Sequence, residues 1–497
     1  MKPQSTLSPI SLRYIAALRG HKPKKTGSEF TYAEMGCSSP DALICLAASN
    51  PEGRFYGFMP NDVARRTADD KAMQRGTFNV IFLTGTPSEV LTRIAGGSSL
   101  PPMLDYLCCD ETESNFSATE RAALFDLAQK RLNQGGILAT KYRAYDKADG
   151  ALRFVINEVT PEMNDQQKIE FLSEIKKLGT KHLSTDIALS DELDKAIADK
   201  APQSFFAKYM GDKSTSHSFD TMVAMGSRGF SYAGDANMTL NYVEMVVPAA
   251  AQDLVVECRS NPLYEQIKDL AIDRTIRTDL WIKEPSERSS SPVELFGGFA
   301  YGLVTTREQI PASHPAQGKN IDLSEPSYSK IIELLSMLPV GIADILEHPS
   351  CEGISPEKAM EVLQILVACG YAIPMRGSLT TTKMTSVEQP KLVGSFNRFL
   401  DKTELGDNDV LFASQVAGCG IALSAREAFV IQAINRVGLN GSVSALMPEL
   451  RRIANTPTAE KIIQEKEPTP EGAHAMIIDI AGKSLPQWYA YALLEAA

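Results

Sequence analysis

The segment Tyr32-Ala33-Glu34-Met35-Gly36-Cys37-Ser38 has the most suggestive spacing in the chain. A carboxylate stands near the end of an apolar, strand-like run, and Gly-Cys then opens a tight turn into a helix. Where strands and helices alternate, ligands bind beyond the carboxyl ends of the strands, so this first turn is a candidate binding site. Asp110 and Glu111 follow the fourth apolar run, and Tyr142 ends the fifth. Carboxylates and a phenol at that edge are residue types that can position a substrate and move a proton. The plainer alternative is that Asp110 and Glu111 face solvent and that Tyr142 packs. Other patterns fail. Gly482-Lys483-Ser484 lacks the earlier glycine of a phosphate-binding loop, and Gly418-Cys419-Gly420 has Leu423 where a dinucleotide turn needs its third glycine. The six histidines are scattered and no CxxC pair occurs, which argues against a dedicated metal site. Adjacent Cys108 and Cys109 lie on a strand, where neighbours face opposite ways, and read as core.

The elements that must position these residues follow from the apolar pattern. Strands are expected at Phe30–Met35, Arg54–Met59, Asn79–Leu83, Asp105–Cys109 and Ile137–Tyr142. Pro40–Ser49 reads as a helix with Ser39 as N-cap. Ser117-Ala118-Thr119-Glu120 reads as a capping box for a helix that stops at Gly135-Gly136. The expected fold class is therefore α/β, a doubly wound, Rossmann-like parallel sheet. Residues 161–204 read as a helical connector with Ile169, Leu172, Ile175 and Leu178 on one stripe. Residues 205–311 read as a separate, mainly helical unit covering the sheet's carboxyl edge, 320–380 as a winged-helix-like outline, and 390–497 as a helical C-terminal region.

The 497 residues are about three domains' worth, with 43% hydrophobic and 22% charged residues. These values exclude a disordered, collagen-like or disulfide-scaffold protein. No apolar run reaches the ~18 residues of a membrane span, and Arg13 interrupts the apolar N-terminal stretch, so a secretory signal is not expected. Eight cysteines are ordinary usage for reduced thiols, and the expected location is cytoplasmic. The formal charge of −11 opposes nucleic-acid binding. Lys22, Lys24 and Lys25 read as a solvated loop. The winged-helix-like segment offers only Lys358 on its second helix, which is too few cations for a nucleic-acid reader.

The Glu34–Cys37 turn resembles motif I of class I S-adenosylmethionine-dependent methyltransferases. YAEMGCSSPDALICLAASNPEGRFYGFMPN and the stretch from LDYLCC to ATKYRAYD extend the likeness to bacterial methyltransferases that carry a methyltransferase regulatory domain, a group that includes protein-lysine methyltransferases. FFAKYMGDKSTSHSFDTMVAMGSRGFSYAGDA and IDRTIRTDLWIK resemble that regulatory domain, and NRFL…FASQVAGCGIALS the C-terminal region of lysine-methylating members. The resemblance implies S-adenosylmethionine as cofactor, with Glu34, Gly36, Cys37 and Ser38 at its methionine part. It also implies a protein acceptor such as lysine near Asp110, Glu111 and Tyr142.

The pattern departs from the family at several points. Ser38 and Pro40 replace the second and third glycines of motif I, and Met59 stands where a carboxylate would bind the ribose hydroxyls. Asn61 or Asp62 could substitute only if the loop bends back, and Gly85-Thr86 replaces the acidic residue beside the adenine. Each lost charged contact weakens binding by ~1.5–3 kcal/mol. The expectation is thus a methyltransferase with weak or lost cofactor affinity; the alternative is a catalytically inactive binding or regulatory module of the same fold.

Overall fold

Helix α1 (Pro9–Leu18) precedes an alternation of strands and helices: β1 (Phe30–Glu34), α2 (Pro40–Ala48), β2 (Gly53–Met59), α3 (Asp62–Gln74), β3 (Val80–Thr84), α4 (Pro87–Ala95), β4 (Leu104–Cys109), α5 (Ala118–Arg131) and β5 (Leu132–Arg143). Further along lie α6 (Ser218–Gly226), β6 (Phe230–Asp235), α7 (Tyr264–Ile272) and β7 (Ile276–Lys283). The structure is a computed structural model that describes residues 2–4, 7–22, 28–37, 39–109, 116–144, 162–177, 187–198, 205–206, 218–317, 320–376, 390–400, 408–438 and 470–496. Ser38, Asp110, Glu111, Lys24, Lys25 and Leu178 lie outside the described residues.

The seven strands form one sheet in the order β3-β2-β1-β4-β5-β7-β6. Strands β1 to β5 pair in parallel, as the strand–helix alternation requires, and the Glu34–Cys37 turn sits at their carboxyl edge. One expectation is corrected here. Residues 205–311 do not pack as a separate unit, because β7 pairs antiparallel with β5 from Ile137↔Ile282 to Arg143↔Ile276, and β6 pairs antiparallel with β7. The core lies on both faces. Leu43 and Ile44 of α2 and Ala68 and Ala72 of α3 pack with Phe412 and Ile421 of the C-terminal region on one face. Val90 of α4, Leu124 and Leu127 of α5, and Met225 of α6 cover the other. Cys108 and Cys109 are buried on opposite faces, as alternation requires. Gly57 lets α2 approach β2, since a Cβ there would lie 2.7 Å from Leu43.

Local boundaries differ from the sequence reading in two places. Ser39 occupies the N-cap of α2 without a side-chain cap bond, and the first-turn Asp41 instead pairs with Lys71 at 2.7 Å and Arg75 at 2.6 Å. Helix α5 ends at Arg131 rather than at the glycines, and β5 begins at Leu132 and runs through Gly135, whose φ is 71°.

The helix of Asp165–Lys177 buries Ile169 and Leu172 against Leu189 and Leu193 of the helix Ile187–Ala198. Residues 324–374 contain three helices, Pro326–Met337, Ile342–Glu347 and Pro356–Ala368, where the sequence outline has two. The strands beside them, Val340–Gly341 and Ala372–Arg376, both pair with Phe299–Leu303, a central strand that lies before the expected boundary. Lys358 is paired with Glu325 and Glu361, both at 3.0 Å. Gly482-Lys483-Ser484 lies within the helix Pro470–Ala490, where Lys483 pairs with Asp479.

The end of α1 is clamped to the loop after β7. His21 Nδ1 meets Ser286 Oγ at 2.9 Å, and the Lys22 amide donates to the Glu287 carbonyl at 2.8 Å. Burial first, and then the neighbouring Arg288, lower the His21 pKa to about 4 from the ordinary 6.5. A depressed value means that the unfolded chain binds this proton more readily than the folded one. The stability contributed by neutral His21 is therefore complete above pH 6.5 and declines as pH falls towards 4. The thermal midpoint should drop between pH 7 and pH 5, and His21→Gln should flatten that drop when the two are compared by calorimetry.

Candidate functional site

The candidate site is built at the carboxyl edge, around the turn after β1. The Met35 amide donates to the Cys108 carbonyl at 2.8 Å and the Cys37 amide to the Phe58 carbonyl at 2.9 Å, which fixes the turn between β4 and β2. Gly36 has a φ of 66°, a left-handed conformation that glycine adopts without penalty. Cys37 is buried, and burial together with the adjacent Glu34 carboxylate pushes its thiol pKa up. It is therefore a neutral thiol and not a nucleophile.

The residues expected on the adenosine side are engaged elsewhere. Met59 is buried in the same core as Ala68 and Ala72 of α3. Asn61 caps α3, its side-chain oxygen accepting from the Ala64 amide at 2.9 Å, and Asp62 pairs with Arg65 at 3.2 Å. Thr86 caps α4: its hydroxyl donates to Glu120 at 3.0 Å and accepts from the Glu89 amide at 3.4 Å. Glu120 does not return to Ser117 to complete the expected capping box. Its carboxylate reaches across to Thr86 and to the Ser88 amide at 3.0 Å, tying α5 to the start of α4. Arg93 folds back to donate to the Thr84 carbonyl at 2.5 Å and lies over Gly85, where a Cβ would collide with its guanidinium. Where the resemblance implies an acidic residue, Gly85-Thr86 is thus surrounded by Arg93, Glu89 and Glu120, all engaged at the start of α4.

Tyr142 is placed by a group of charges that sequence reasoning missed. In the β5–β7 register it lies opposite Arg277, and Thr140 lies opposite Asp279, so all four side chains share one face of the sheet. The Tyr142 hydroxyl donates to Asp279 at 2.5 Å. Arg277 Nε holds the same Asp279 carboxylate at 2.9 Å and 3.0 Å. Its Nη1 binds both oxygens of Asp269 at 2.6 Å and 2.7 Å, and its Nη2 donates to Glu265 and to the Tyr232 hydroxyl, each at 3.0 Å. Lys268 pairs with Glu265 at 2.8 Å, and Arg274 with Asp235 at 2.5 Å.

Four carboxylates thus face three buried cations, with Arg19 at the rim 3.7 Å from Glu265. Burial alone would raise the Glu265 pKa, but Lys268 and Arg277 hold it down to about 2. Burial raises Asp235 and Asp269 despite their arginines, and burial with the Asp279 charge raises Tyr142. Tyr142 is therefore a protonated, oriented phenol. The signal in the sequence was Arg277, Asp279 and Trp281 alternating with Leu280 and Ile282 in a β-length run. Charged residues in such a run are buried and paired when both faces of the strand are covered.

Among the described residues no group of three or more His, Cys, Asp or Glu could hold a metal ion, and no helix is long and apolar enough to cross a membrane. Residues 201–283 match the family model described as "Predicted methyltransferase regulatory domain". Over 99% of each chain the fold aligns with PKMT2 from Rickettsia typhi at 15% identity and a TM-score of 0.66. The same Rickettsia protein in complex with AdoHcy aligns over 98% of each chain at 14% identity and a TM-score of 0.68. A search of curated protein sequences found no match. The chain thus has the fold of that Rickettsia protein, and one segment of it is similar to a methyltransferase regulatory domain. The matched segment supplies β6 and β7, the last two strands of the sheet.

Replacing Arg277 with methionine leaves Asp279, Asp269 and Glu265 buried against an apolar side chain. The expected loss is about 3–5 kcal/mol, read as a large fall in the calorimetric midpoint. The double variant Arg277→Met/Asp279→Asn should recover part of it, because one stranded charge is removed.

Proposed function

We propose that the chain is an S-adenosylmethionine-dependent methyltransferase acting on a protein side chain such as lysine. The observation that carries the reading is the left-handed Gly36 turn beside Glu34, at the carboxyl edge of a chain whose fold matches end to end a protein solved with AdoHcy. The turn fits the amino-acid half of the cofactor: Glu34 can accept from its ammonium group, and Gly36 lets the backbone approach. When bound, the cofactor supplies a methyl group on a sulfonium centre. An acceptor lysine must reach that methyl uncharged and in line with the bond being broken. Asp110 and Glu111 follow directly on β4 and are the proposed groups for orienting the amine and taking its proton. Tyr142, held by Asp279, is the proposed hydroxyl that lines the acceptor edge.

A second reading, a non-catalytic binding or regulatory protein of the same fold, is favoured by one set of observations. Met59 is buried, Asn61 and Thr86 are helix caps, and the carboxylates nearest Gly85-Thr86, Glu89 and Glu120, are already bonded to Thr86 and the Ser88 amide at the start of α4. Titration with S-adenosylmethionine and AdoHcy separates the readings. The expected dissociation constant for S-adenosylmethionine is weaker than about 100 μM, or less than ~5.5 kcal/mol of binding. Binding that saturates in the high-micromolar range supports a functioning but weakened site. Absence of saturable binding overturns the methyltransferase reading, and tight binding overturns the non-catalytic one.

If turnover occurs, Asp110→Asn or Glu111→Gln should lower transfer of labelled methyl to a lysine-containing protein at least tenfold, while cofactor affinity changes far less. Unchanged rates in both variants would remove these carboxylates from the mechanism.

A further inference from the structure

Helix α7 turns its charged residues inward and its apolar ones outward. Glu265, Lys268 and Asp269 are buried in the Arg277 network, whereas Leu263 and Leu270, about two helical turns apart on one stripe, are exposed. The helices on either side continue the apolar surface. The helix Ala249–Glu257 packs on α7 through Val255, Tyr264 and Ile267 and leaves Leu254 exposed. Helix α6 meets α7 through the Ser218 hydroxyl and Gln266 at 3.3 Å and leaves Val223 exposed. Large apolar side chains on three adjacent helices are more than the scattered singles of an ordinary surface. The patch lies beside the acceptor edge. Asp269 of α7 is bonded to Arg277, which holds Asp279 against Tyr142, and the Ala144 amide donates to the Thr275 carbonyl at 2.9 Å just beyond the end of α7. Its rim is acidic. Asp220 on α6 and Asp253 and Glu257 on the neighbouring helix are exposed, and Arg259 is already paired with Glu244 at 3.6 Å.

We propose that this patch docks the acceptor polypeptide, taking leucine-like side chains of a lysine-rich segment while the acidic rim meets that segment's positive charge. A second copy of this chain is the less suitable occupant, because a two-fold contact would set the same acidic rim against itself. A lysine in the docked segment approaches the acceptor edge with its neighbours already held, so binding remote from the methyl group orients the amine. The proposal rests on the methyltransferase reading for the identity of what the patch binds.

The test uses the full chain and two short fluorescent peptides. Each has a central lysine with basic neighbours, and one carries leucines where the other carries serines. Fluorescence anisotropy should show saturable binding of the leucine peptide below about 200 μM, with the serine peptide roughly tenfold weaker or more. Both should weaken in about 0.5 M salt, which screens the rim. The double variant Leu263→Gln/Leu270→Gln changes only exposed side chains. It should bring the leucine peptide down to the serine level, with an unchanged circular dichroism spectrum and unchanged affinity for S-adenosylmethionine. Equal affinity of the unmodified protein for the two peptides, or leucine-peptide binding that survives the double variant, overturns the proposal. So does a dimer in sedimentation equilibrium that the double variant breaks into monomers, since the patch is then a contact between copies. Transfer of labelled methyl separates this proposal from the reading beneath it. Equal methylation of both peptides keeps the methyltransferase and removes the docking surface. Leucine-peptide binding by a chain that binds no S-adenosylmethionine and methylates neither peptide overturns the acceptor assignment together with that reading.

Discussion

The Arg277 guanidinium touches three carboxylates and a phenol from inside the protein, and the far half of the sheet depends on it. Seven strands close into one layer only if β7 enters between β5 and β6 with charged residues on its buried face. A lone buried charge costs several kcal/mol, so each member must bring its partner with it. Asp279 shares the strand, Glu265 and Asp269 come from α7, and Tyr232 comes from β6. Helix α7 is consequently inverted: Glu265, Lys268 and Asp269 face inward, while Leu270 is 81% exposed. The segment that matches the regulatory-domain model is thus bonded into the sheet as an integral part of it, and its charges orient Tyr142 at the edge where the proposed chemistry takes place.

The carboxyl edge is held by two different kinds of bond. The turn at Gly36 is kept because β1, β2 and β4 need it: two amides of the turn bond to the neighbouring strands. The adenosine side has no such structural duty, and there the polar residues have become caps. Asn61 starts α3 and Thr86 starts α4, with Glu120 bracing the latter from α5. These residues stabilise helix termini. The two halves of the proposed cofactor site are therefore under different physical constraints.

Much of this was legible in the sequence. The five parallel strands and α2 follow from apolar runs bounded by turn residues, and the residues of the Glu34–Cys37 turn were placed at the carboxyl edge by that pattern alone. What was not legible depends on partners distant in sequence. Phe230–Asp235 and Ile276–Lys283 are strand-like, but nothing local says that they join a sheet begun some 200 residues earlier. Glu120 reads as a capping-box residue, and its turn towards Thr86 is visible only once α4 and α5 are side by side. Tyr142 could be read as packing or as chemistry. Its partner Asp279 stands 137 positions away, and the register of β5 on β7 is what unites them.

The central claim is that β6 and β7 belong to the same cooperative unit as β1 to β5. Hydrogen exchange on the full chain, resolved to peptides by mass spectrometry, tests it directly. The account predicts that amides of Ile276–Lys283 are protected as strongly as those of Leu104–Cys109 and lose protection together with them as denaturant is raised. Exchange of Ile276–Lys283 well before Leu104–Cys109 would mean that the regulatory segment opens on its own, and would contradict a sheet held closed by Arg277.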